Sequence, residues 1–199
     1  FVEEHLSELR AALAAFRTKI NKDGLVVITL HNPDWTETIE RTGVLGFVNV
    51  LYVESLKRLG EIERRRGNED AARMLEIEHE HARAGVLRTL YSSEGYFRAA
   101  EGDDRIDTAA SILGARFLLP PTEAARVART LRCRVLRTSG LANFDPPYPA
   151  RNILWIPLLF GNGDYHNRFV WPWVTAEYVK LLVHLSVELP LEGKEFADE

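Results

Sequence analysis

HNPDWTETIERTGVLGFVNVLYVESLKRLGEIERRR (residues 31–66) sets a polar, aromatic-bearing segment directly against a long helical pattern. In its second half, apolar residues recur at Val48, Leu51, Tyr52, Leu59 and Ile62, largely at three- and four-residue spacing. That is one face of an amphipathic helix, expected from about Val44 to Arg66. The basic run Arg64–Arg66 closes it where cations suit the helix dipole. The first half places Asp34, Trp35 and Glu37 within four positions, just after the apolar run LVVITL (25–30). It reads either as a solvated polar loop or as a loop that carries a proton donor.

Working outward, helical spacing covers most of the chain. Val2, Leu6, Leu9, Leu13, Phe16 and Ile20 mark a helix ending near Ile20. Gly67-Asn68 stops the second helix and restarts a third, from about Glu69 to Leu90. Asp107 is a good N-cap for a fourth helix, TAASILGARFL, which ends at Pro120-Pro121. A fifth runs from Thr122 to about Leu136, and Trp171-Pro172 opens the last, with proline in its tolerated first turn. The expected fold class is therefore all-α, residues 1–199 forming one domain without a Ser/Gly-rich linker. The links after helices one, three and five are long, about 21–43, 91–106 and 137–170. With helix direction alternating, all three emerge at one end of the bundle and share a rim. Links of that length are usually functional or disordered, and their aromatic content argues against disorder.

The bulk properties exclude some classes of function. The chain has 199 residues, 46% hydrophobic and 27% charged, as in an ordinary soluble domain. A formal charge of −4 offers no footprint for nucleic acid or an anionic membrane surface. The longest apolar run, ILWIPLLF, is too short to span a bilayer and contains Pro157. A single cysteine, Cys133, rules out an intrachain disulfide and a multi-cysteine metal site, and it is expected to be buried in a helix. His79 and His81 lie two apart on a helix, too close in sequence for a paired zinc site, and are expected at the surface. No metal and no cofactor are expected. No signal peptide is visible and the cytoplasm is the expected compartment, although a chain that begins at Phe1 is expected to have lost its natural start.

The expected rim collects Trp35, Tyr91, Tyr96, Phe97, Phe144, Tyr148, Trp155, Tyr165, Trp171 and Trp173 beside carboxylates and amides. Aromatic faces for the apolar face of a sugar, with polar groups for its hydroxyls, are what a carbohydrate site requires. Aromatics that merely pack the loops down would give the same composition. Glycoside cleavage needs two carboxyl groups, an acid for the leaving oxygen and a base or nucleophile opposite. Glu37 suits the acid if Trp35 and the run Leu25–Leu30 desolvate it, and Asp34 is its competitor.

DWTETIERTGVLGFVNVLYVESLKRLGEI (34–62) resembles the segment of six-hairpin, (α/α)6-toroid glycosidases in which an acidic loop feeds an inner helix. IDTAASILGARFLL, GLANFDPPYP and YHNRFVWPWVTAEYVKLL follow in the order of that family, in its amylo-α-1,6-glucosidase, neutral invertase and mannosylglycerate-hydrolase-like group. The likeness covers about Leu25 to Leu185 and is most specific at YHN…VWPW. It implies an α/α toroid of which about half the twelve helices are present. It also implies an inverting hydrolase of an α-glucoside or related sugar. The general acid would be Glu37, three residues after Asp34 and four before Arg41. The general base would lie downstream, beyond Glu192, Glu195 and Glu199. By matching motif positions, Trp35, Arg41, Asn49, Tyr52, Asp107, Asn143, Asp145, Tyr165, His166, Asn167, Trp171 and Trp173 would lie near the sugar. A half toroid would expose apolar inner-helix surface, so the remainder of the ring or a second copy is the expected protein partner.

Three other functions compete. A sugar-binding module that lost the base would keep the rim. An epimerase of acylated amino sugars would need histidine bases, for which His31 and His166 are available on the rim. A plain helical scaffold would not need so many aromatics in its long loops.

Overall fold

The computed structural model describes residues 2–30 and 34–189. His31, Glu192, Glu195 and Glu199 lie outside the described residues. Helix α1 spans Val2–Arg17, α2 Gly46–Arg65 and α3 Glu69–Thr89. The α2–α3 turn is made by Arg66–Asn68, where Gly67 takes φ +78°, so the two helices run antiparallel. The chain then forms three strands, β1 (Tyr91–Ser92), β2 (Tyr96–Ala100) and β3 (Asp103–Asp107), before α4 (Thr108–Leu118) and α5 (Pro121–Arg134). Short strands β4 (Leu136–Arg137), β5 (Gly140–Leu141) and β6 (Phe144–Asp145) follow. A 3₁₀ turn at Ala150–Asn152, the short helix α6 (Trp155–Leu159) and α7 (Pro172–Glu188) complete the order.

The expectation of an all-α partial toroid does not hold. The described residues contain a four-stranded antiparallel sheet, in the order β1-β2-β3-β6, and a two-stranded sheet, β4-β5, beside seven helices. The fold is mixed α and β, and the resemblance to six-hairpin glycosidases falls with the all-helical architecture it implied. Two of the three links expected as rim loops, those after α3 and α5, hold the strands. Tyr96, Phe97, Ala99 and Ala100 of β2 are all buried, so the strand shows none of the alternation that betrays a half-exposed strand.

Helix α4 is the centre of the molecule. Asp107 ends β3 and caps α4, its Oδ1 accepting from the Ala110 N–H at 2.9 Å, as its sequence position predicts. Nine of the eleven residues of α4 are buried, with α2 and β2 on one side and α5 and α7 on the other. Gly114 admits Phe97 beneath the helix, since a Cβ there would sit 2.6 Å from the ring. A small third core of Ile39, Ala99, Phe144, Tyr148 and Ile153 joins the 34–41 loop to β2 and β6. No helix among the described residues is long and apolar enough to cross a membrane.

Candidate functional site

The 34–41 loop is shaped by its own polar groups. Asp34 Oδ1 accepts from the Thr36 N–H at 2.8 Å and from Thr36 Oγ1 at 2.7 Å, an Asx turn that pulls the chain round. Asp34 Oδ2 accepts from Arg41 Nη2 at 2.6 Å, and the two side chains are only 2% and 3% exposed. Arg41 Nη1 stands 3.5 Å from Asp107 Oδ2, and its guanidinium lies over the Phe144 ring at 5.0 Å. Burial works against the charge on Arg41, but Asp34 and Asp107 outweigh it and hold the guanidinium above its usual range. Burial pushes Asp107 up to about 6, against the pull of Arg41 and the Ala110 amide. Asp34 is thus committed to holding the loop, and both of its oxygens are in use.

Above this buried triad lies an aromatic cluster centred on Trp35. Its ring meets Trp173 edge-on at 4.7 Å, His166 at 5.6 Å and Trp171 at 5.9 Å. Trp171 stacks on the His166 ring at 5.2 Å and 15°, while its Nε1 donates to the Tyr165 carbonyl at 2.9 Å. Tyr165 packs against both at 4.6 and 4.8 Å. Segments more than 110 residues apart are held together by Thr38 Oγ1 beside His166 Nδ1 at 3.1 Å, and by the Leu154 N–H donating to the Thr38 carbonyl at 2.9 Å. Tyr165 and Trp173 remain exposed, so the cluster presents rings to solvent.

Glu37 stands at the edge of this surface. Its Oε2 is 3.8 Å from His166 Nε2, and its side chain is 58% exposed. The desolvation expected from Trp35 and Leu25–Leu30 is absent. Trp35 turns toward His166 and the two other tryptophans, and Leu25, Val26 and Ile28 are buried in the core beneath α2 and α3. His166 is buried, which lowers its pKa against the opposing pull of Glu37 and Asp34, so the ring is neutral near pH 7. An exposed carboxyl group beside a neutral imidazole and a set of rings can exchange a proton with a bound hydroxyl or ether oxygen.

The structure brings together Asp34, Trp35, Glu37, Arg41, Asp107, Tyr165, His166, Trp171 and Trp173. Several other candidates have structural partners instead. Asn49 Oδ1 accepts from the Val26 N–H at 2.7 Å, and its Nδ2 donates to the Val26 and Leu45 carbonyls at 3.0 and 2.9 Å. Its amide therefore ties the 20–28 segment to α2. Tyr52 is buried and faces Phe16 of α1 at 6.1 Å, its hydroxyl pushed up to about 12 by burial. Asp145 pairs with Arg134 at 2.8 Å. Asn167 clamps the Tyr148 backbone at 2.7 and 2.8 Å, and Asn143 Nδ2 donates to the His166 carbonyl at 2.9 Å. Tyr91, Tyr96 and Phe97 lie in the core clusters rather than on the rim, and Cys133 is exposed rather than buried. Thr36, Thr38 and Phe47 belong to the site without having been expected there. Phe47 had a signal, being a large aromatic one residue off the apolar stripe at the start of α2; the threonines had none.

Among the described residues, no group of three or more His, Cys, Asp or Glu side chains is arranged to hold a metal ion. No protein-family model matches the chain, and no curated protein matches it.

Proposed function

We propose that the Trp35–Tyr165–Trp173 surface binds a sugar and that Glu37 acts as general acid in hydrolysing its glycosidic bond, with an α-glucoside or related sugar as substrate. The observation that carries this is a solvent-facing carboxyl group beside an exposed set of aromatic rings, with His166 3.8 Å away. Rings of that kind stack on the apolar face of a pyranose, and a carboxyl group at their edge can reach the leaving oxygen, with the stacked sugar itself supplying the desolvation that Trp35 and Leu25–Leu30 do not. The second carboxyl group of an inverting reaction stands roughly 6.5–9.5 Å from the first. Asp34 and Asp107 are both committed to Arg41, so the base is drawn from elsewhere. The same observation favours a second function, sugar binding without cleavage.

The experiment is a pair of assays on the same protein, tryptophan fluorescence titrated with methyl α-glucoside and hydrolysis of nitrophenyl α-glucoside. Sugar binding predicts a saturable change that Trp173→Ala weakens. General-acid catalysis predicts turnover that Glu37→Gln slows roughly 10²–10⁴-fold. Saturable binding without turnover leaves the non-catalytic function, and neither signal sinks both. A second copy of the chain is also proposed as a partner. Val179, Val183 and Val187 line one exposed face of α7, and light scattering tests whether the chain self-associates.

A further inference from the structure

A groove of about 520 Å³ runs between α1 and α2 and begins beside the aromatic surface. Leu9, Leu13 and Phe16 form one wall, and Phe47, Leu51 and Leu59 form the other. From Phe47 to Ile62, helix α2 advances roughly 22 Å at about 1.5 Å per residue. The groove is therefore long, and its lining is mostly apolar, with Asp34, Glu54, Ser55 and Arg58 as its polar residues. Leu9 and Leu51 are 45% and 37% exposed, large apolar side chains left open from both helices.

Two features point to what it takes. Glu54 lines the groove and is 9% exposed. Its Oε1 accepts from Arg58 Nε at 2.6 Å, whereas its Oε2 is buried and has no hydrogen-bond partner among the described residues. A buried carboxylate oxygen without a donor is costly, so a ligand bearing a hydroxyl or similar donor is favoured there. The other feature is continuity. Asp34 also lines the groove, and Phe47 packs on Trp35 at 6.3 Å and Trp173 at 6.4 Å, so the groove starts at the aromatic surface.

Size and charge narrow the occupant. Small-molecule sites span about 300–1,000 Å³, and the volume of the groove falls within that range. Among the described residues that line the groove, Arg58 is the cation and it is paired with both Glu54 and Glu61, which disfavours an anionic ligand. We infer that the α1–α2 groove binds the alkyl or aryl part of a neutral amphiphile. Only the further identification of that part as the aglycone of a glycoside rests on the sugar site proposed above.

Calorimetric titration with octyl α-glucoside below its micelle concentration, methyl α-glucoside and 1-octanol tests this. The octyl glucoside is expected to bind at least tenfold more tightly than the methyl glucoside, a difference of about 1.4 kcal/mol. Leu51→Arg, and independently Leu9→Arg from the opposite wall, should abolish that gain and leave methyl glucoside binding unchanged. Both residues are partly exposed, and circular dichroism checks that each variant is folded. Octyl and methyl glucosides binding alike, or a gain that survives both arginines in folded protein, overturns the groove. Octyl glucoside and 1-octanol binding equally, both sensitive to the arginines, keeps the groove and removes the sugar site instead.

Discussion

Arg41 Nη2 donates a 2.6 Å hydrogen bond to Asp34 Oδ2, and scarcely any of either side chain touches water. The pair closes the eight-residue 34–41 loop around Thr36, whose hydroxyl donates to Asp34 and accepts from Arg41. Removing one partner leaves the other charge buried. Asp34→Ala is expected to destabilise the fold by about 3–5 kcal/mol, measured by urea denaturation with an unchanged m-value. A loss under about 1 kcal/mol would show that Asp107 alone satisfies Arg41.

Asp107 titrates with a sign opposite to that of most carboxylates. Its folded pKa, about 6, lies above the usual value near 3.9 for an unfolded chain. Its contribution to stability is therefore whole below about pH 4 and lost as pH rises through about 6. Asn keeps an oxygen for the Ala110 amide, so Asp107→Asn should retain the cap while removing this pH dependence. Between about pH 4 and 6.5 the wild type should lose up to about 3 kcal/mol more stability than the variant. Parallel stability–pH curves would count against a raised Asp107.

His166 acts in the other direction. Burial holds its folded pKa below the usual value of about 6.5, so its stabilising contribution is whole above that pH and is lost as pH falls below it. His166→Gln should flatten the acid side of the thermal-stability profile below about pH 6.5. If Glu37 donates a proton in catalysis, the same variant should also shift one limb of the pH–rate profile. An unshifted profile would make His166 a packing residue only.

Gly114 meets Phe97 where a methyl group has no room. A Cβ would stand 2.6 Å from the ring edge, and the ring is fully buried. Gly114→Ala should cost about 1–3 kcal/mol despite the better helix propensity of alanine. Phe97→Leu in that background should cost less than the same change in the wild type, a coupling that a double-mutant cycle reads directly.

Six of the seven helices were legible, most of them because they are long and periodic; the five-residue α6 lay unrecognised in the 137–170 link. The periodicity of α2 comes from its alternation of buried and exposed positions, whereas α4 is buried nearly all round and was announced by Asp107 through residue type alone. The strands were not legible, since four of the six have two residues and β2 is buried on both faces. Missing them gave an all-helical architecture, and the family likeness built on that architecture failed with it. At the site, Trp35, Tyr165, His166, Trp171 and Trp173 were recognisable by aromatic type in adjoining links. The exposure of Glu37 was not, because the apolar run before it belongs to the core rather than to its surroundings. Asn49 and Asn167 show a related limit. A buried amide that bonds backbone looks the same in sequence as one that waits for a sugar.

Asp107 is at once the end of β3, the cap of α4 and a partner of Arg41, so the loop that carries Trp35 and Glu37 is wired into a helix with nine of its eleven residues buried. The amide proton of Ala110 is the reporter of that wiring. If loop and helix form one cooperative unit, this proton exchanges with deuterated solvent only when both open, and a ligand on the rings slows its exchange from a distance. Occupancy of the surface would then register in the middle of the core, at an atom no ligand touches.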